Sequence, residues 1–330
     1  MFPVLLLAVF SVGLFFPVSA TKGSYPGDNG KIVFTDEDPA PPYDSEIFVM
    51  DNDGGNIQQL TFNDVEDRNP CWSPDGAKIA FQHGDYGSQE IWVMDADGSN
   101  PRQLTAHAGG IADIIPAWSP DGGKIAFTRS ISSSFDVYVV DANGPAGWGT
   151  LLISGPAFST SWSPDGSEIV YHETDGISVA DSSTGTFKRA LGEGYDPCWS
   201  PDGTKIVFVH GDEIWVMNTD GSNRQQLSDP PQQPMEYEDG APNWSPDGEK
   251  IVFGREEDSI WIMNSDGSNE FDLTPSLPSA DEPDYQRITL APVGGVIFPI
   301  NKFEVITPYL VLVGLIAAVS TVYIFKKHKD

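Results

Sequence analysis

Basic residues, histidine and cysteine are scarce in this sequence, and each shortage narrows what the protein can do. The 330 residues include 18 lysines and arginines against 48 aspartates and glutamates, a net charge of −30. Such a surface repels nucleic acid phosphates and argues against DNA or RNA as a partner. The five histidines are scattered, with no two at the spacing of a local metal motif. No Gly-x-Ser-x-Gly nucleophile elbow occurs either, so we expect no catalytic residue, metal or cofactor.

The abundant residues point to an all-β protein. The sequence has 33 glycines and 27 prolines, which punctuate turns, together with 9 tryptophans and 18 phenylalanines, which favour strands. Hydrophobic residues make up 39% of the chain, enough for a sizeable core. The acidic residues are spread through the turns instead of forming a tail, as expected of a solvated acidic surface.

Two uncharged stretches stand apart from the rest of the chain. Residues 2–18 lead into the small residues Ser19 and Ala20, which predicts a secretory signal peptide. An uncleaved N-terminal anchor is the alternative. Residues 305–325 lack charge and precede a cluster of lysines, which predicts a transmembrane helix with a cytoplasmic tail. A buried core helix is the alternative there. We therefore expect a single-pass membrane protein whose bulk is extracellular.

A repeat of roughly 40 residues fills the central part of the chain. The pentapeptide Trp-Ser-Pro-Asp-Gly occurs five times, and each copy is followed by similar apolar and turn segments. The copies begin at Trp72, Trp118, Trp162, Trp199 and Trp244. Regular self-similarity of this kind predicts a fold built from equivalent units.

Each unit predicts a four-stranded antiparallel sheet. The tryptophan segment and three further runs, for example 78–81 and 90–95, have the length and composition of strands. Ser-Pro-Asp-Gly and Asp-Gly-Ser-Asn supply the residues that tight turns need. The strands are nearly continuously apolar, so both faces of each sheet must be buried, and radial stacking into a β-propeller achieves this.

The ends of the repeat region predict six blades. Residues 31–34, 46–50 and 59–61 supply strands two to four of a blade that has no tryptophan strand before it. The missing strand matches residues 282–285, with Tyr285 in the place of tryptophan. Five complete blades and one blade shared between the two ends close the ring, which leaves no unpaired seam.

The repeat resembles the TolB-type, WD-repeat-like propeller unit, and it is also similar to the propellers of the prolyl oligopeptidase and tricorn protease families. This resemblance implies a six-bladed propeller but says little about function. TolB itself carries an α/β domain and works with a peptidoglycan-associated lipoprotein, and the peptidases carry a hydrolase domain. We expect neither domain here, and the C-terminal tail is similar to the anchors of archaeal and bacterial surface proteins.

The chain therefore divides into six predicted parts. They are a signal peptide (1–20), a short linker (21–26), the TolB-like propeller (27–289), a second linker (290–302), a transmembrane helix (303–325) and a basic cytoplasmic tail (326–330). Cys71 and Cys198 each precede a repeat tryptophan, in blades three apart. They would lie on opposite sides of the ring, too far apart for a disulfide, and we expect two free, buried thiols.

The candidate ligand-binding residues come from the ends of the first two strands of each blade, which should crowd one mouth of the channel. The residues two positions after the strand-two aromatic vary in charge, and variation within a rigid repeat suggests a ligand-binding surface. An ordinary solvated rim is the alternative. The candidates are Asp36, Asp67, His83, Asp113, Arg129, Glu173, Asp196, His210, Asp239 and Arg255.

Three classes of function remain open for the sequence. We favour a non-enzymatic cell-surface module, with a monomeric ectodomain, that binds an envelope or extracellular protein, peptide or glycan at the channel mouth. A metal-dependent lyase or hydrolase would need His83, His210 and rim carboxylates to converge on one metal. A structural surface-layer component is the third possibility.

Overall fold

The computed structural model shows an all-β architecture in the residues that it describes. It describes residues 29–37, 44–107, 109–132, 134–174, 176–228, 239–255, 259–277 and 279–287. Within these ranges, 24 strands form six four-stranded antiparallel sheets, which confirms the predicted six-bladed propeller. The predicted signal peptide, linkers, transmembrane helix and basic tail lie outside the described residues. In the part that is described, no helix has the length and apolar character needed to cross a membrane.

The strands follow the repeat, four to a blade. Blade 1 contains β1 (Asn29–Glu37), β2 (Ser45–Met50), β3 (Gln58–Gln59) and β24 (Asp281–Arg287). Blade 2 contains β4 (Asp67–Trp72), β5 (Lys78–His83), β6 (Glu90–Asp95) and β7 (Arg102–Gln103). Blade 3 contains β8 (Ile111–Trp118), β9 (Lys124–Ile131), β10 (Ser134–Asp141) and β11 (Thr150–Ile153).

The second half of the ring repeats this arrangement. Blade 4 contains β12 (Ala157–Trp162), β13 (Glu168–Glu173), β14 (Gly176–Asp181) and β15 (Phe187–Gly192). Blade 5 contains β16 (Tyr195–Trp199), β17 (Lys205–His210), β18 (Glu213–Asn218) and β19 (Gln225–Gln226). Blade 6 contains β20 (Asp239–Trp244), β21 (Lys250–Arg255), β22 (Ser259–Asn264) and β23 (Phe271–Asp272). The first strand of each blade lines a central channel.

The ring closes as the sequence predicts. β24 forms the inner edge of blade 1, in the sheet order β24-β1-β2-β3. Tyr285 pairs with Ile32, and Asp284 pairs with Val33. The far end of the propeller domain therefore completes the blade that the near end begins, which removes two unpaired sheet edges.

The core is divided into six clusters, each shared by two neighbouring blades. Between blades 1 and 2, for example, Val33 and Val49 pack with Trp72, Ile79 and Phe81. Successive strand residues point to opposite faces of a sheet, so a strand that is apolar throughout can supply two clusters at once. Each fully buried aliphatic or aromatic side chain contributes about 1.5–3 kcal/mol to stability. A blade without its neighbours would therefore expose apolar side chains on both of its faces.

The Trp-Ser-Pro-Asp-Gly motif forms the turn between the first two strands. In blade 3, the Ser119 hydroxyl donates to Asp121 (2.6 Å) and accepts from the Lys124 backbone amide (2.9 Å). Asp121 also accepts from the Gly123 amide (2.9 Å), while Gly122 adopts a φ of +71°, which glycine tolerates best. All five copies share these serine contacts. The most conspicuous motif of the sequence is therefore a turn element.

Candidate functional site: the central channel and its mouth

The two ends of the channel differ. At one end, which we call the mouth face, the first strand of each blade begins and the second strand ends. The Trp-Ser-Pro-Asp-Gly turns form the opposite end, the turn face. The register at the mouth face sets three of the predicted aspartates opposite three of the predicted cations: Asp67 and His83, Asp113 and Arg129, Asp239 and Arg255.

In blade 3 this pair is completely buried. The carboxylate of Asp113 accepts two hydrogen bonds from the Arg129 guanidinium, at 2.6 and 2.7 Å, and neither residue is exposed to solvent. The guanidinium also donates to the Trp148 carbonyl (2.6 Å) and lies 4.4 Å from the ring centres of Tyr138 and Trp148. Bidentate pairing and aromatic stacking satisfy the arginine within the fold.

Blades 2 and 6 hold similar pairs. Arg255 donates to both carboxylate oxygens of the buried Asp239, at 2.6 and 3.0 Å, and also to Glu270. His83 Nδ1 lies 2.6 Å from Asp67 Oδ1, and this contact, ahead of the opposing effect of burial, accounts for a raised pKa of His83. The hydrogen bond with Asp67 makes the largest contribution to this raised pKa of His83. In these three blades the predicted residues pair with each other inside the blade.

Blades 1, 4 and 5 differ, because a small residue replaces the strand-one aspartate: Ala280, Ala157 and Gly194. Their strand-two residues find other partners. Burial raises the pKa of Asp36 to about 6, and its carboxylate accepts from the Ser279 amide at 3.1 Å. Glu173 accepts a hydrogen bond from the Ser178 hydroxyl, and His210 meets the Trp215 ring edge-on at 5.5 Å between centroids.

The predicted residues therefore do not form one continuous cluster. Asp67, Asp113, Arg129, Asp239 and Arg255 are at most 4% exposed, and within the described ranges each is engaged by a neighbour in its own blade. In blades 2, 3 and 6 the charge variation that singled them out reflects pairing across two strands. Ligand binding by these residues stays a prediction.

The channel itself encloses about 590 Å³ and is lined by the six first strands. Each strand contains an irregularity in its pairing with the second strand. There, three residues before the inner aromatic side chain, the backbone turns left-handed, with φ between +41° and +56°. These residues are Asn69, Ile115, Ser159, Asp196, Ala241 and Glu282.

Two carboxylates of the closing strand lie in this channel. Glu282 accepts from the Thr35 hydroxyl (2.8 Å) and from the backbone amide of Asn69 (2.6 Å). Asp284 accepts from the Trp72 amide (2.6 Å) and the Asn243 side chain (2.7 Å). Burial raises the pKa of Glu282 and raises that of Asp284 to about 7.

A third carboxylate, Asp196, belongs to the first strand of blade 5. It accepts from the Ser159 hydroxyl of blade 4 at 2.5 Å, and its charge helps to raise the pKa of Glu282 after the larger effect of burial. No lysine or arginine in the described part of the chain forms an ion pair with Asp196, Glu282 or Asp284. The charge of Arg287, which lines the channel, acts on Asp284, and that of Arg68 acts on Glu282, in both cases after the larger effect of burial. Acidic lining residues outnumber Arg287, and the channel is rich in hydrogen-bond acceptors.

The two thiols also lie along the channel. Cys71 and Cys198 are free, as predicted, and belong to blades 2 and 5. They are half-buried instead of fully enclosed, because the first strands border the channel. Burial raises the pKa of both thiols, that of Cys198 to about 12, so both stay protonated at neutral pH.

Sequence reasoning used Glu282 and Asp284 only to locate the closing strand. Their positions in the repeat correspond to Asn69 and Cys71 of blade 2, and the structure places all four along the channel. A comparison of the repeats at these inner-strand positions, in place of the strand ends, would have found the acidic pair. Within the described ranges, no three histidine, cysteine, aspartate or glutamate side chains are arranged to hold a metal ion.

Comparison with known proteins agrees with this architecture. The family model for PD40, the TolB beta propeller domain, matches residues 66–235. The search of curated proteins finds no match. Among solved structures, TolB from Acinetobacter baumannii aligns with a TM-score of 0.66 at 23% identity, covering 78% of this chain and 66% of that protein. This chain thus spans slightly less than two thirds of that TolB.

Two further structures extend the comparison. A putative TolB from Agrobacterium tumefaciens aligns with a TM-score of 0.58 at 20% identity, covering 83% of this chain and 100% of that one. The tricorn protease aligns with a TM-score of 0.53 at 19% identity, covering 73% of this chain and 26% of the protease. Identities this low show a shared fold alone, and the fold occurs in proteins with different activities.

Proposed function

The chain belongs to the TolB beta propeller domain family, and from this premise we propose that it is a non-enzymatic binding scaffold whose channel receives a basic segment of a protein partner. The observation that carries the proposal is the channel of about 590 Å³ with three carboxylates that form no ion pair with a lysine or arginine of the described residues. Ammonium and guanidinium groups offer only donors, and this site offers mainly acceptors.

The same reasoning favours a protein partner over the other classes. Nucleic acids and anionic glycans would meet repulsion from Asp196, Glu282 and Asp284. The overall charge of −30 adds a long-range attraction for basic proteins, which speeds their association at low ionic strength.

We further propose that the mouth face points away from the membrane. Asn29 and Arg287, the first and last residues of blade 1, are register partners. Both lie at the turn face, since Asn29 contacts Asp247 (2.9 Å) and Gln286 contacts Gly76 (2.8 Å), two turn residues. The segment leading to the predicted anchor at 303–325 would leave from that face, and the mouth would face outward from the cell surface.

Calorimetric titration of the purified full chain tests the binding proposal. The probe is an acetylated, amidated peptide of alternating glycine and arginine, and the control peptide carries neutral citrulline in place of arginine. We expect the arginine peptide to bind at least about tenfold more tightly, because only it carries charge for the carboxylates. Equal affinities, or no binding of the arginine peptide at low salt, would contradict the proposal.

Two channel variants locate the binding. Glu282→Gln and Asp284→Asn should each lower the affinity for the arginine peptide about fivefold, because they remove charge but keep an acceptor oxygen. Glu249→Gln, which changes an exposed carboxylate at the turn face, serves as the control and should have no effect. Thermal unfolding of each variant verifies that the fold is kept. Unchanged binding in both channel variants would place the site elsewhere.

The pH dependence supplies a further test of the same channel. The pKa of Asp284 is raised to about 7, so its carboxyl is largely neutral below that pH and charged above it. The arginine peptide should therefore bind more tightly as the pH rises from about 6 to about 8. Asp284→Asn should flatten this dependence, and an unaltered profile in that variant would show that another group titrates.

A further inference from the structure

Four aromatic rings form a continuous row across blades 3, 4 and 5. Phe135 and Phe158 lie 4.4 Å apart between centroids, Phe158 and His172 lie 5.6 Å apart, and His172 and Tyr195 lie 6.0 Å apart. The contacts cross two blade boundaries, since Phe135 belongs to β10, Phe158 and His172 to β12 and β13, and Tyr195 to β16. We call these four residues the aromatic row.

The aromatic row lies at the mouth face. Its members occupy the beginnings of β10, β12 and β16 and the end of β13, which is the end of the blades where the channel opens. All four side chains are half-buried, so part of each ring meets solvent. Tyr195 also lines the channel itself, which makes the row continuous with the site proposed above.

The row lies beside the positions at which blades 4 and 5 depart from the repeat. Blades 2, 3 and 6 have a buried aspartate near the start of their first strand that pairs with a cation. Blades 4 and 5 have Ala157 and Gly194 there, each followed directly by an aromatic residue of the row, Phe158 or Tyr195. These two blades therefore lack the buried ion pair and have a partly exposed aromatic ring at the next position of the strand.

Carboxylates accompany the row along its length. Asp136, Glu173 and Asp196 lie on strands that carry the rings, and Tyr195 donates to Asp212, in the turn between β17 and β18, at 3.2 Å. In the described ranges none of the four carboxylates forms an ion pair. Burial lowers the pKa of His172 despite the opposing charges of Asp196 and Glu173, so this ring is neutral at pH 7 and adds no positive charge.

We propose that the aromatic row is the docking platform on which the arginine or lysine side chains of an extended, basic peptide stack before the peptide enters the channel. Cations are attracted to aromatic faces, and carboxylates beside the rings strengthen that attraction. Within this sector the charge complementarity points to a cationic peptide over a neutral oligosaccharide, which would use the rings but not the carboxylates. The inference rests on the proposed function and assigns its specificity to blades 3 to 5.

Leucine substitutions in the row test the proposal with the same glycine–arginine peptide. Phe158→Leu and Phe135→Leu keep an apolar side chain of similar reach but remove the π face. Each should lower the affinity for the peptide about three- to tenfold, as expected for the loss of a cation–π contact at a partly desolvated site. The matched control is Phe187→Leu, which changes a 57% exposed phenylalanine on the outer strand of blade 4. That variant should bind as the unchanged protein does.

Nuclear magnetic resonance of His172 gives a second readout that is independent of the leucine variants. A guanidinium bound beside this ring should lower the pKa of His172 further on saturation with the arginine peptide, while His83 should hardly respond. An unchanged pKa of His172, together with full affinity in Phe158→Leu, would overturn the proposal.

The outcomes separate the platform from the channel. Loss of affinity in Glu282→Gln alone, with both leucine variants unaffected, would leave the proposed function standing and overturn the platform. No binding of the arginine peptide to any form would contradict both. Binding of a neutral hexasaccharide such as a chitin hexamer that is weakened by Phe158→Leu, without binding of the arginine peptide, would assign the row to glycans and overturn the peptide proposal.

Discussion

Blades 3 and 4 share the same backbone arrangement but differ in the side chains at the mouth end of their first two strands. In blade 3 the mouth end is closed by Asp113 and Arg129, both fully buried and joined by two hydrogen bonds. In blade 4 the equivalent strand positions hold Ala157 and Glu173, opposite each other in the register, and the next residue, Phe158, is half-buried. At these strand positions blade 3 satisfies its polar groups internally, whereas blade 4 leaves a partly exposed aromatic ring.

This contrast distinguishes the positions of a repeat protein that stabilise the fold from the positions that are available to bind a ligand. A buried bidentate pair fixes its two strands but is closed to a ligand, because both side chains are out of contact with solvent and their charges offset each other. An open aromatic position adds little to the blade, yet it exposes a surface that can bind. Variation between repeats therefore has two meanings, and only the burial of the residues distinguishes them.

The largest expected effect is on the free energy of unfolding and comes from the buried ion pair of blade 3. Asp113→Ala should lower the free energy of unfolding by about 3–5 kcal/mol, because it leaves the Arg129 guanidinium buried without its counter-charge. Chemical denaturation measures the loss. Asp85→Ala, which truncates an exposed aspartate in the neighbouring blade, is the control and should change stability by less than about 0.5 kcal/mol.

A double variant shows whether the cost comes from the unpaired charge. Asp113→Leu combined with Arg129→Met replaces the pair with apolar side chains of similar volume and should recover most of the lost stability. If Asp113→Ala proved no more harmful than Asp85→Ala, the pair would not be the structural element that its burial implies.

The sequence predicts the fold well because the same turn motif and strand pattern occur five times. Trp-Ser-Pro-Asp-Gly determines a turn through local hydrogen bonds, such as Ser119 to Asp121, and local contacts can be read from local sequence. The closing strand was also predictable, since Tyr285 takes the place of a repeat tryptophan and now pairs with Ile32.

The site was harder to predict because it depends on which residues meet across strands and blades. No sequence motif marks Asp67 and His83 as a pair. Only the strand register shows that they lie opposite each other. Glu282 gains its importance from contacts with Thr35 and Asn69, which are far away in the chain. Periodicity identifies the strand of a residue but not the partner that satisfies its charge.

An intermediate effect should appear in the titration of two histidines. His83 belongs to blade 2, which like blade 3 has an aspartate–cation pair at its mouth end, and His172 belongs to blade 4, which lacks one. The bond to Asp67 raises the pKa of His83, whereas burial lowers the pKa of His172. The His83 pair therefore stabilises the fold below the ordinary histidine pKa and loses that contribution as the pH rises. His172 has the opposite dependence, because its protonation in acid is costly in the folded state.

Nuclear magnetic resonance titration measures both histidines in one sample. Asp67→Asn should lower the pKa of His83 and leave that of His172 nearly unchanged, since only the first histidine has this carboxylate as its partner. If the two histidines titrated together in the unchanged protein, the distinction between closed and open blades would not extend to their electrostatics.

The smallest expected effect concerns the left-handed residues that all blades share. Five of these six positions hold asparagine, serine, aspartate, alanine or glutamate, but blade 3 has the β-branched Ile115 at a φ of +54°. A β-branched residue is strained there, whereas asparagine tolerates this conformation, as Asn69 does in blade 2. Ile115→Asn should therefore raise the free energy of unfolding by about 1 kcal/mol.

The neighbouring isoleucine provides the control for that change. Ile114 is also half-buried but is not left-handed, so Ile114→Asn should remove apolar contacts without relieving strain and should lower stability. A gain from both variants would indicate a general effect of polarity at the channel mouth, and a loss from both would mean that the packing of Ile115 outweighs its strain. A gain from Ile115→Asn alone would show that blade 3 keeps a strained channel position although its mouth is closed by a buried ion pair.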